Sequence, residues 1–119
     1  MNHSTVKVKI DKRYYDIDRD IAPLVKVLNK SGIVTIQSCQ EREPGLAWIV
    51  FCSSGDVEEF LTIAQKKYKP RLETWDEGDD GQVSIRVNLY VLFPKKDIPE
   101  LAERFRLHLS RSKEHRGGQ

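Results

Sequence analysis

The run Leu46-Ala47-Trp48-Ile49-Val50-Phe51-Cys52 contains neither a charge nor an amide side chain, and it constrains the fold more than any other stretch. It is shorter than an ordinary helix and rich in β-branched and aromatic residues, so it reads as a strand. Successive strand side chains point to opposite faces, which puts Ala47, Ile49 and Phe51 on one side and Leu46, Trp48 and Val50 on the other. Both sides are apolar. Such a strand belongs in the middle of a sheet, covered on both faces.

The flanking segments supply the remaining elements. Val6, Val8 and Ile10 alternate with Lys7, Lys9 and Asp11, the period-2 pattern of a strand with one wet face. Tyr14 to Asp20 reads as a polar connection. Ile21, Leu24, Val25 and Leu28 then recur at helical spacing, with Asp18 or Asp20 as cap, Pro23 in the first turn and Gly32 closing the helix. Ile33 to Cys39 predicts a strand that pairs with the apolar run across a loop ending in Pro44-Gly45. Ser54 heads a second helix whose stripe of Val57, Phe60, Leu61, Ala64 and Tyr68 extends to about Lys69, where Pro70 stops it. Arg71 to Trp75 and Val83 to Phe93 predict two strands, and Asp97 caps a last helix with Leu101, Phe105 and Leu109 as its buried seam. The order β-α-β-β-α-β-β-α predicts an α+β fold, a ferredoxin-like split βαβ core with an appended strand and helix. Its expected core is Leu24, Leu28, Ile49, Phe51, Phe60, Leu61, Ile85, Val87 and Phe105.

At 119 residues, 39% apolar and 32% charged, the chain is sized for one core, expected over residues 1–111, with 112–119 as a flexible basic tail. No apolar run opens the sequence or is long enough to span a bilayer, so a cytoplasmic protein without membrane contact is expected. Cys39 and Cys52 form no C-x-x-C pair and are expected as free thiols. The net charge of +2 does not by itself imply a nucleic-acid partner. Arg104, Arg106, Arg111 and Lys113 do cluster near the C-terminus; they fit either a helix dipole complement or a basic surface for nucleic acid.

Chemistry concentrates in Gly32-Ile33-Val34-Thr35-Ile36-Gln37-Ser38-Cys39-Gln40-Glu41-Arg42. On a regular strand Thr35, Gln37 and Cys39 would share one face, leading into an amide, a carboxylate and a guanidinium suited to a polar ligand. An edge strand with its polar face in water is the competing reading. Cys39 as a nucleophile would need a base, yet His3, His108 and His115 lie near the ends of the chain. Tyr14-Tyr15-Asp16-Ile17-Asp18 could stack a base or sugar or could staple the first turn of the following helix. The acidic stretch Asp76 to Gly81 is a hairpin turn or, less simply, a calcium loop without the closing Glu of an EF-hand.

The Gly-Ile-x-Thr-x-x-Ser-Cys pattern, set between an amphipathic helix and an apolar strand over Ile21 to Phe51, resembles the Ser-Cys motif region of the wybutosine-synthesis tRNA methyltransferases and of small uncharacterised bacterial domains. The resemblance implies that Ser38, Cys39 and Arg42 sit at the mouth of a site. That family follows Ser-Cys with a small residue, a Gly and an Arg, where this chain has Gln40 and Glu41 before Arg42; S-adenosylmethionine binding therefore does not carry over. The expected function is a non-catalytic ligand-binding, regulatory or protein-interaction module with a site at Thr35, Ser38, Cys39, Gln40 and Arg42, without catalytic residues, metal or cofactor. A nucleotide- or tRNA-modifying enzyme is the alternative. The doubly apolar central strand also leads us to expect a homodimer through the sheet face, unless the last helix covers it.

Overall fold

The computed structural model describes residues 4–76, 78, 81 and 85–117, excluding the side chains at 75, 86 and 113–117. Its elements are β1 (Thr5–Ile10), β2 (Arg13–Asp18), α1 (Ala22–Lys30), β3 (Thr35–Glu43), β4 (Leu46–Phe51), α2 (Ser54–Ala64), β5 (Pro70–Asp76), β6 (Ile85–Pro94), a 3-10 turn (Lys95–Asp97) and α3 (Ile98–Gly117). The fold is α+β in the expected succession, with one strand more at the front. Glu77, Asp79, Asp80 and Val83, which carry the hairpin-turn and calcium readings and the start of the last strand, lie outside the described residues.

The additional strand is β2, in the segment read as a connection. Asp11 and Lys12 both take positive φ, 52° and 77°, the backbone of a two-residue hairpin turn whose twist matches its strands. The chain therefore folds straight back, and β1 pairs antiparallel with β2 from Thr5↔Asp18 to Ile10↔Arg13. A split βαβ core would place its first strand inside the main sheet. Here β1 and β2 form a sheet of their own, and the main sheet has the antiparallel order β3-β4-β6-β5. Ile10 and Ile17 of the small sheet pack against the main core.

The helix ends follow local chemistry. Ile33 N–H donates to the Leu28 carbonyl and Gly32 N–H to that of Asn29, the paired bonds of a Schellman motif, with Gly32 at φ 86° where a side chain would be strained. Neither Asp18 nor Asp20 caps α1: its N-cap is Ile21, without a side-chain bond, and the Asp18 carboxylate is engaged by Gln40 N–H instead. Ser53 rather than Ser54 caps α2, its hydroxyl accepting from Asp56 N–H. α2 stops at Ala64, earlier than expected, because Gln65 turns left-handed at φ 53°. Tyr68 still reaches the core from the connection, its ring 5.6 Å from that of Phe93 and its hydroxyl donating to Asp97 at 2.6 Å. α3 continues through the stretch expected as a tail, to Gly117.

β4 is an inner strand, as its sequence demands. Ala47, Ile49 and Phe51 join Val91 and Phe93 of β6 under the helices, where Leu24, Leu28, Phe60, Leu101 and Phe105 close the core. α3 packs on α1 and α2, in the same layer, and does not cover the far face of the sheet. On that far face Val50 lies between Gln37 and Tyr90, and Trp48 is buried beneath the Arg42 guanidinium, 4.5 Å from the ring centroid, and beside Tyr90.

Ile85 and Val87, expected in the core, are exposed at 65% and 52%. The reason is length. β4 pairs with β6 only from Leu89 to Pro94, so Ile85 to Asn88 run on past the end of β4, where α2 begins, and have only β5 beside them among the described residues. The outer half of the β5–β6 ribbon therefore carries Ile85, Val87 and Leu72 on the helix side of the sheet, exposed to solvent.

No helix among the described residues is long and apolar enough to cross a membrane.

Candidate functional site

The expected site segment lies on β3, whose alternation is broken twice. Thr35 pairs with Phe51 but Gln37 with Val50, so Ile36 is an extra residue and forms a bulge; a second irregularity falls between Cys39 and Glu43. The first bulge turns Thr35 to the core side with Phe51, while Gln37 and Cys39 share the outer side with Val50 and Trp48. The three side chains expected on one face are thus divided by one inserted residue.

Each side chain has a distinct setting. Thr35 Oγ1 accepts from Asn29 Nδ2 at 3.0 Å and borders a hollow of about 320 Å³ together with Lys9, Tyr15, Lys26 and Lys30. Ser38 and Arg42 border a different hollow, of about 430 Å³, with Tyr15, Asp16, Asp18, Gln37 and Trp48. Gln40 is buried and ties β3 to the β2–α1 connection: its Oε1 accepts from Asp20 N–H at 2.7 Å, and its own N–H donates to Asp18 Oδ2 at 3.1 Å. Glu41 braces the hairpin end by accepting from Gly45 N–H at 2.9 Å and from Lys95 at 3.5 Å. The Pro44-Gly45 pair, with Gly45 at φ 78°, makes the turn that returns the chain into β4.

Cys39 and Cys52 are free thiols. Desolvation pushes the Cys39 thiol above its usual value; a hydrogen bond from the Glu41 backbone and the nearby Arg42 charge work against this, and the Asp18 carboxylate adds to it. Little thiolate forms at neutral pH, which opposes a nucleophilic role. Arg42, expected to reach for an anionic ligand, spends one face of its guanidinium on Trp48.

The sequence led us to expect Thr35, Ser38, Cys39, Gln40 and Arg42 around one pocket; instead Ser38 and Arg42 share one hollow, Thr35 borders another, Cys39 and Gln40 line neither, and the further wall of Tyr15, Asp16 and Asp18 was not anticipated. The available signal was the Tyr14-Tyr15-Asp16-Ile17-Asp18 run. It does not staple α1: Tyr14 and Tyr15 are exposed on β2, and Lys9 Nζ stands 5.8 Å from the Tyr14 ring.

At the basic end, Arg104 pairs with Glu100 and donates to Gln65, and Arg106 pairs with Glu103, so two of the four expected basic residues are matched within the fold. The Lys113 side chain lies outside the described residues. Among the described residues no group of three or more His, Cys, Asp or Glu side chains could hold a metal ion, and no buried side-chain nitrogen or oxygen lacks a partner. The chain matches no family model, no curated protein and no solved structure.

Proposed function

We propose that the protein is a non-catalytic protein-interaction module acting through its β5–β6 ribbon. The observation that carries this reading is the apolar stripe Leu72, Val87 and Ile85, contiguous on one face and exposed at 61%, 52% and 65%. Contiguous large apolar side chains held in water on a regular element mark a binding surface more often than a defect. The polar segment of β3 supports the reading from the other side: Gln40 and Glu41 are committed to bracing the fold, and the Cys39 thiol is held in its protonated form.

Two measurements test it. Val87→Ser should change the unfolding free energy by less than about 0.5 kcal/mol, as for an exposed position, where a core valine would cost more than about 2 kcal/mol. A thermal-shift screen with nucleotides, S-adenosylmethionine and short RNAs should leave the unfolding temperature unchanged. A core-sized loss in the first, or a saturable rise of several degrees in the second, overturns the reading; the second outcome would favour a nucleotide- or tRNA-modifying enzyme using the Tyr15, Ser38, Arg42 and Trp48 hollow.

A further inference from the structure

β5 is the outer strand of the order β3-β4-β6-β5, so one row of its backbone N–H and C=O groups has no partner strand in the sheet. Edge strands are commonly protected by a bulge, by proline in mid-strand or by repeated lysine. β5, Pro70-Arg71-Leu72-Glu73-Thr74-Trp75-Asp76, has its proline at the first position only and pairs with β6 without a register break. Such an edge can accept another strand.

Its charge pattern indicates which one. Leu72 lies on the helix side of the sheet, and its neighbours Arg71 and Glu73 lie on the other side, both exposed and without an ion-pair partner among the described residues. In a two-fold antiparallel pair with the axis normal to the sheet, facing residues share a side of the sheet. A pair centred on Arg71 sets arginine against arginine, and one centred on Glu73 sets glutamate against glutamate. Centred on Leu72, Arg71 faces the partner's Glu73 and Glu73 faces the partner's Arg71, while the two leucines meet at the axis.

We infer that β5 pairs with β5 of a second copy of this chain, centred on Leu72, joining two four-stranded sheets into one of eight strands. This rests on the protein-interaction reading and names its partner. The helix layer does not stand in the way, since α2 packs over β4 and β6, inside the edge strand. Pairing also sets the two Leu72–Val87 stripes side by side, giving a continuous apolar surface across the axis. The contact is short and belongs with small, reversible interfaces.

Sedimentation equilibrium from micromolar to millimolar protein is the test, on wild type, Arg71→Glu, Glu73→Arg and the double exchange. Wild type should show a concentration-dependent dimer. Each single variant sets two like-charge pairs at the axis and should weaken association by roughly tenfold, and the double exchange should restore it to within about threefold. In a Cys52→Ser background, Leu72→Cys should form an intermolecular disulfide on mild oxidation, because directly opposed residues lie within disulfide reach, and Thr74→Cys should not. A monomer at every concentration, a dimer indifferent to the single charge changes, or a double exchange no better than the singles overturns the inference. None of these outcomes touches the Val87→Ser and ligand-screen results on which the broader reading stands.

Discussion

Phe51 shows how a single side chain ties the layers together. It is almost fully buried at the end of β4, and its ring lies 5.0 Å from that of Phe60 on α2, which in turn stacks on Phe105 of α3 at 5.6 Å. Phe51→Ala should cost about 3–5 kcal/mol, read by urea unfolding, because both the transfer energy and the cavity term are lost. A loss below about 1 kcal/mol would mean that β4 does not carry the core. Tyr68 makes a different kind of contribution. Burial, together with the hydrogen bond to the Asp97 carboxylate, pushes its phenol well above the ordinary tyrosine value. The folded phenol keeps its proton where the unfolded one releases it. Its stabilisation is therefore complete below about pH 10 and is lost as pH rises beyond that toward the folded value. Tyr68→Phe should cost about 1–2 kcal/mol near neutral pH, and the gap from wild type should narrow on the alkaline side. A gap independent of pH would show that the phenol is not so held.

At the scale of elements, two turns of opposite composition can be compared. The β1–β2 turn places Asp11 and Lys12 in the left-handed region without a glycine, whereas the end of α1 uses Gly32 at φ 86°. A left-handed non-glycine residue costs roughly 1–2 kcal/mol, and a new glycine returns about 0.4–1 kcal/mol of that through the entropy of the unfolded chain. Lys12→Gly should therefore stabilise the protein by about 0.5 kcal/mol, and Gly32→Ala should destabilise it by about 1 kcal/mol, both measured as shifts of the urea midpoint. A loss on Lys12→Gly would show that the lysine side chain contributes a contact beyond the turn.

For the whole molecule, the overhang of β6 past the end of β4 divides the sheet into a covered half and a bare half. Local stability should follow that division. At dilute concentration, amides of β4, flanked by β3 and β6 and covered by the helices, should exchange with solvent most slowly, while those of β5 and of Ile85 to Asn88 in β6 should exchange fastest within the main sheet. Hydrogen exchange read by mass spectrometry checks this, and uniform protection along β6 would contradict it. The same division explains why an exposed apolar surface arises here at all: Leu72, Val87 and Ile85 continue the apolar face of the core past its covered half.

Features that depend on near neighbours in the chain were readable without a structure. The inner position of β4 follows from two apolar faces, the α1 stripe from its period, and the helix end at Gly32 from the absence of a side chain. β2 was not readable because Arg13 to Asp18 has no buried face of its own; it exists through a turn that sends it back along β1. The division of the Thr35–Arg42 segment was hidden for a related reason. A bulge adds one residue against a partner strand, so the side to which Thr35 or Gln37 turns is settled by pairing with β4 and not by alternation alone. Ile85 and Val87 share the period of Leu89, Val91 and Phe93 and differ from them only in what lies above. The α+β class, the central strand and the helical stripes were thus determined by the sequence itself; which of these apolar residues became core and which became surface was decided by how far β6 runs past the end of β4, a matter of strand pairing that no single segment contains.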